Sequence, residues 1–161
     1  MSFFTYYWTG EEFLGRKAHH PEWSLDFAAS NQFVKRGVTE GDTVYIWSFL
    51  KGQLYLLGRM QVKEICTRAE VKSRYPEIAR RYVFWKTEHI VATAESTAVT
   101  HFDLVIADDK IHKLRFTGNM APKIRNSPLA NNFDPQTFRG VRQLTSLSAL
   151  LLDDLLKEHR A

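Results

Sequence analysis

Trp8, Trp23 and Trp47 are the side chains here whose type and placement best suit a chemical task. An indole presents a flat face on which a base can stack, worth roughly 1–3 kcal/mol per base. Trp8 and Trp47 fall at the ends of predicted strands, where a side chain can face an open barrel mouth. Trp23 follows Pro21 in a stretch with neither helical nor strand period, so packing explains it less readily. Ser24, Asn31 and Ser48 could contact the edge of a bound ring, and Ser24 equally suits a helix cap. Arg16, Lys17, Lys35 and Arg36 flank these residues, and Lys123 and Arg125 lie further along. They are candidates for phosphate contacts, which position a nucleic acid and make its affinity fall with salt. For every one of these aromatics the competing assignment is the core. Trp85, after Tyr82-Val83-Phe84 in a dense apolar run, is assigned to it.

Catalytic and metal chemistry find little footing. His19-His20, His101 and His112 lack ligand spacing, and adjacent histidines on an extended chain point apart. Glu11-Glu12 and Asp108-Asp109 are neighbouring carboxylates of the kind that solvated turns carry. The chain contains no Gly-x-Ser-x-Gly, Walker-type or Gly-x-Gly-x-x-Gly motif. The expectation is a binding module with no metal and no cofactor, not an enzyme.

The charge distribution fits a polyanionic partner and fits equally a solvated loop with surplus lysine and arginine. The net charge is +4, and residues 110–142 hold seven basic side chains (Lys110, Lys113, Arg115, Lys123, Arg125, Arg139 and Arg142) against one acid, Asp134. Residues 91–109 hold four acids and no base, so the positive charge is concentrated. The single cysteine, Cys66, rules out an internal disulfide and a cysteine-rich zinc site, and fits a packed small side chain. With no leader-like N-terminus and no apolar run near 18 residues, the expectation is a soluble, cytoplasmic protein without a membrane partner.

Elements that could position these residues follow from pattern. At 161 residues and 44% hydrophobic, with 13% aromatic, the chain suits one β-rich domain over 1–161. Phe3 to Trp8 reads as a strand, Glu11 to Pro21 as irregular, and Ser24 to Phe33 as a short helix. Gly41-Asp42 is a turn, followed by a hairpin with arms Thr43–Leu50 and Gln53–Val62 across Lys51-Gly52. Gly58 inside the second arm points to a bulge or a close backbone approach. Thr67-Arg68-Ala69-Glu70 fits a capping box, and the helix it opens should pass or break near Pro76, which can sit at the first position of a second turn. Tyr82–Trp85 and Glu88–Thr93 read as extended, and Phe102–Ile106 and Ile111–Phe116 as a strand pair. Residues 117–138, with Gly118, Pro122, Pro128 and Pro135, read as a long ordered loop. Arg139–Leu144 reads as a strand and Leu147–Lys157 as a helix capped by Thr145 or Ser146. The class is α+β, its strands most easily closed as a small barrel flanked by short helices.

Three of these stretches carry a family resemblance. The strand Tyr6-Tyr7-Trp8, the Gly41-Asp42-Thr43-Val44-Tyr45-Ile46-Trp47 turn and hairpin, and Val141-Arg142-Gln143-Leu144-Thr145 before the last helix resemble PUA-like β-barrels, most closely the EVE and YTH-related branch. Trp8-Thr9-Gly10-Glu11 stands where the standard EVE domain has a Trp-Lys-x-Glu-Pro-like opening. The resemblance implies a nucleic-acid-binding module that flips one modified base into an aromatic pocket, with methyl- or hydroxymethyl-cytosine preferred and DNA favoured over RNA. It also implies a possible fused or associated nuclease, for which this chain would supply specificity. Base flipping costs a few kcal/mol, which stacking on Trp8, Trp23 or Trp47 can offset. The alternatives are a regulatory module whose barrel mouth takes a protein or small molecule, and a minor enzyme of RNA metabolism.

Overall fold

The computed structural model describes residues 1–81, 89–96, 100–124 and 133–160. Tyr82–Trp85, Glu88, Arg125 and Pro128, assigned above, lie outside the described residues. The class is α+β. Among the described residues seven strands form one curled, half-barrel sheet in the order β2-β5-β4-β3-β1-β7, with β6 paired to β4.

Aromatic side chains on both faces fill β1 (Phe3–Tyr7), the last strand but one at one end of this sheet. It runs parallel to β3 (Thr43–Leu50), pairing Phe3 with Thr43 through Tyr7 with Trp47, and antiparallel to β7 (Val141–Leu144). A parallel pair needs a long crossover. Here it is residues 8–42, which carry α1 (Gly10–His19), β2 (Phe27–Ala29) and α2 (Gln32–Lys35). The hairpin forms as expected. Lys51 and Gly52 turn the chain with φ of 49° and 78°, a left-handed pair that glycine adopts freely. Its second arm, β4 (Gln53–Thr67), is longer than the pattern shows and also pairs with β5 (His89–Ser96) and β6 (Val105–Ile106).

The bulge sits where Ile46 pairs with Gly58 and Trp47 with Leu56, leaving Leu57 unmatched. Its consequence is a change of parity. Leu54 and Leu56 belong to one apolar cluster, with Tyr45, Trp47, Phe116 and Phe138, while Met60 and Val62 belong to another, with Phe4, Trp8, Phe13 and Phe33. One strand thereby feeds the cores on both faces of the sheet. The first core is covered by α6 (Ser146–Arg160), the second by α1 and the inside of the curl.

Three readings of the crossover and the later chain are corrected. Glu11–Pro21 is not irregular: α1 starts on Thr9, whose hydroxyl accepts from the Glu12 N–H, with acids in its first turn and bases in its last. Only Phe13 is buried on it, too few apolar residues to betray a period. Ser24–Phe33 is not one helix but β2 followed by the single turn of α2. The β-sheet partner β5 overrides the local preference. Phe102–Ile106 and Ile111–Phe116 do not pair with each other: β6 pairs with β4, and Asp108–Ile111 is a short helix, α5. Elsewhere pattern and structure agree. The Thr67/Glu70 capping box forms in both directions at α3 (Arg68–Arg74), and Pro76 opens α4 (Pro76–Arg81). Thr145 caps α6, its hydroxyl accepting from the Ser148 N–H at 3.4 Å.

The described parts of the long loop are tied down. Ile124 bridges to Phe133, and a 3-10 helix over Pro135–Phe138 presses Phe138 into the first core. The curl brings the sheet's two ends together through side chains. The Tyr6 hydroxyl donates to the Ala29 carbonyl at 2.9 Å, and Gln32 Oε1 accepts from the Val141 N–H at 3.0 Å. Gly140 stands at φ 74°, a conformation that favours glycine, and a Cβ there would lie 2.6 Å from Gln32 Oε1 and push that amide off the Val141 N–H.

At the opposite end the buried Asp42 carboxylate accepts from the N–H groups of Ser2 and Thr39, both at 2.8 Å, and so pins the start of β1 to the start of β3. Hydrogen bonds to a charged acceptor contribute about 1.5–3 kcal/mol each. Asp42→Ala is expected to lose about 2–4 kcal/mol of stability in urea denaturation, with the two orphaned N–H groups setting the size.

Candidate functional site

The crossover does more than connect β1 to β3. Leaving β1, the chain places Trp8 against the second core. Its N–H donates to the Trp47 carbonyl at 2.9 Å, and its own carbonyl accepts from the Ser48 hydroxyl at 2.8 Å. Helix α1 then presents Glu12, Gly15, Arg16 and His19 along one side, the i, i+3, i+4, i+7 spacing of a single helical face. At its C-terminus His20 and the loop residue Trp23 close the far side. These seven residues line a cleft of about 330 Å³, large enough for a small ring ligand.

Arg16 sits at the centre of the cleft's electrostatics. Its guanidinium carbon lies 5.0 Å from the Trp8 ring centroid and 5.2 Å from that of Trp23. Cation–π contacts of this kind contribute roughly 0.5–1 kcal/mol each at exposed sites. The His20 imidazole stacks on Trp23 with centroids 3.6 Å apart and planes inclined by 6°. The Trp23 surface thus already carries a flat heteroaromatic ring in stacking geometry. The Trp23 backbone is held by the Thr100 hydroxyl, which donates to its carbonyl at 2.9 Å.

Glu12 is the acid of the cleft. Neighbouring atoms raise its carboxyl above the usual carboxylate range, although the residue is exposed. The Thr9 N–H and hydroxyl and the Arg16 charge pull in the opposite direction, and Glu11 adds to the rise.

Of the six residues proposed for a base pocket, the structure brings Trp8 and Trp23 together and separates the rest. Trp47 is fully buried on the other face of the sheet. Tyr7 and Trp47 are register partners and share that face, so Trp8, the next residue, points the opposite way. The Trp47 indole N–H donates to the Phe138 carbonyl at 3.0 Å, and its ring packs edge-on against Phe116 and Phe138. Ser48 is buried, its hydroxyl engaged by the Trp8 carbonyl. Ser24 donates to Asp26 Oδ1 at 2.7 Å and caps no helix, while Asn31 is exposed before α2. None of these four lines the cleft.

Of the phosphate candidates, Arg16 lines the cleft and Lys17 is exposed beside it on α1. Lys35 and Arg36 are exposed at the end of α2. Arg36 lies near enough to Arg142 to help lower that guanidinium's pKa, an effect in which burial is the larger cause. Arg142 is itself engaged, stacked 3.6 Å over Phe116 and donating to the Thr137 carbonyl. Lys123 is exposed, its N–H bound to the Thr137 hydroxyl. Arg125 lies outside the described residues.

Glu12, Gly15, His19 and His20 are cleft residues that pattern alone missed. Thr9-x-x-Glu12 is a capping signature, and reading it as one would have exposed the stripe. Among the described residues no cluster of His, Cys, Asp and Glu could hold a metal ion, and no helix is long and apolar enough to cross a membrane.

No family model and no curated protein matches this chain. A solved structure of a hypothetical protein from Leishmania major is similar over 100% of this chain and 98% of that one, at 12% sequence identity and a TM-score of 0.49.

The two tryptophan environments predict opposite costs. Trp47→Ala should destabilise the protein by about 3–5 kcal/mol, as large aromatic truncations in cores do. Trp23→Ala should cost no more than about 1 kcal/mol, the worth of its stacking contacts. Urea denaturation of both variants checks the division between core and cleft.

Proposed function

We propose that this chain is a nucleic-acid-binding module, on a PUA-like frame of the EVE type, which holds one flipped base in the cleft between Trp8 and Trp23. The observation that carries the reading is the cleft itself. Two tryptophans and an arginine converge on a ligand-sized space, and His20 already stacks a flat ring on one of them. A flipped base loses its neighbours in the helix, and the cleft returns stacking from indole and guanidinium faces. A modified cytosine in DNA, methylated or hydroxymethylated, is the preferred ligand. That preference comes from the resemblance of the strand and hairpin motifs to this family.

The phosphate path runs over exposed cations. Lys17 lies beside the cleft on α1. Lys35 and Arg36 stand on α2, which meets β7 where Gln32 binds the Val141 N–H. Such residues set position and salt dependence and carry no base information. The chemistry is recognition without turnover. A nuclease fused to or associated with the chain would supply any cleavage.

Fluorescence-anisotropy titration tests this with short oligonucleotides, unmodified or bearing a single methyl-cytosine, hydroxymethyl-cytosine or methyladenine, at two salt concentrations. Trp23→Ala is expected to weaken binding of the preferred oligonucleotide about 5- to 100-fold, the loss of one stacking face, while the fold survives. Wild-type affinity in that variant would remove Trp23 from the site. A Lys35→Ala/Arg36→Ala variant should weaken binding to modified and unmodified strands alike. It should also reduce the slope of log affinity against log salt by about 1.4–1.8, as the loss of two phosphate contacts requires.

A further inference from the structure

We propose that Glu12 selects the base, accepting a hydrogen bond from an exocyclic amino group and so turning away uracil and thymine. The inference rests on the reading of the cleft as a base pocket and names the edge chemistry that such a pocket would demand.

The argument begins with the cleft's composition. Of its seven lining residues two are indoles, one is glycine, and three are basic or titratable nitrogen groups; Glu12 alone is an acid. Its position is set by the helix. Glu12 stands one turn before Arg16 on the same side of α1, with Gly15 between them in the stripe. A Cβ at Gly15 would meet nothing within 4 Å, so the wall beside Glu12 is open. The carboxyl is also held. The Thr9 hydroxyl accepts from the Glu12 N–H at 3.2 Å and donates to Oε1 at 3.5 Å, a long contact that turns the exposed side chain toward the start of the helix.

A held carboxylate is an acceptor. The amino group of cytosine, adenine or guanine stands clear of its ring and can donate to it. The N3–H of uracil or thymine is recessed between two carbonyl oxygens, and a carboxylate approaching that hydrogen also meets those oxygens. An acceptor placed against them leaves polar groups desolvated and unpaired, the usual source of strong discrimination by a polar pocket.

Two oligonucleotides of identical sequence make the test, one with 5-methylcytosine and the other with thymine at the probed position. The two bases share ring and methyl group and differ in the edge. Tryptophan quenching and anisotropy report binding at low salt. The wild-type protein is expected to favour 5-methylcytosine by at least about tenfold, the worth of one hydrogen bond with a charged partner. Glu12→Gln keeps the capping position supplied, because glutamine serves there as glutamate does. Its amide both donates and accepts, so the two affinities should converge to within about twofold, with thymine binding gained. Equal wild-type binding of the two strands with clear quenching would overturn the assignment of Glu12 while leaving the base pocket standing. So would an unchanged preference in Glu12→Gln. Absence of quenching and binding with both strands would overturn the pocket itself, and the selection with it.

Discussion

The parallel pairing of β1 with β3 is the constraint from which the rest of this structure follows. Two strands side by side and pointing the same way cannot be joined by a tight turn. The chain must travel from one end of the sheet back to the other, and it does so over residues 8–42. That journey needs a start and a stop. Trp8 leaves β1 bonded through its N–H to the Trp47 carbonyl, and the Asp42 carboxylate gathers Ser2 and Thr39 where β3 begins. Between them α1 has to lie against the sheet through Phe13, which meets Tyr55 and Phe102 with ring centroids 5.1 and 5.5 Å away. The rest of that helix is left facing outward. The cleft is the space between this sparsely buried helix, the strand end that precedes it and the loop that follows.

The bulge at Leu57 is the second device. A regular β4 would place Leu54, Leu56, Met60 and Val62 on one face. With one residue unmatched, the first two pack with Trp47 and Phe138, and the last two with Trp8 and Phe33. Arg59, carried round to the α6 side, donates to Asp153 Oδ1 at 2.8 Å, and the same oxygen accepts from the Tyr45 hydroxyl at 2.9 Å. Burial and the Asp153 charge raise the Tyr45 hydroxyl far above its ordinary range, so it stays a donor to this carboxylate. The curled sheet and its C-terminal helix are therefore locked by a residue count in one strand.

These two devices also explain what could be read in advance. The hairpin, the Gly58 bulge, the Thr67 capping box, Pro76 and the last helix were legible because each is set by local chemistry: turn residues, a missing side chain, a cap, a period. Helix α1 was not, because one buried residue, Phe13, makes no period, and Gly10 and Gly15 look like breakers. The residues Phe27–Ala29 form a strand because β5 arrives beside them from more than sixty positions away, information that no window around Ser24 contains. Trp47 was misplaced for a subtler reason. Strand alternation decides which face a residue joins, but both faces of β3 become core, and the cover over the Trp47 face comes from α6 and the 3-10 helix at Pro135–Phe138, both a hundred or so residues later in the chain. Trp23, with no period of its own, did reach the cleft.

That contrast bears on how a cleft arises beside a core made of the same residue types. Trp8 and Trp47 are both buried tryptophans, one just past the end of β1 and the other within its partner strand β3. Trp47 faces the side on which a helix, a loop and a 3-10 turn have packed, and its one polar atom is satisfied by the Phe138 carbonyl. Trp8 faces the side on which the crossover passes, and there the neighbours are a guanidinium and a loop tryptophan with its stacked imidazole. Flat, delocalised groups pack face to face without interlocking as branched aliphatic chains do, so they can separate to admit another flat group at modest cost in contact. An aliphatic residue at position 16 or 20 would close this space as core. An arginine and a histidine leave it an open cleft lined by stacked, flat groups.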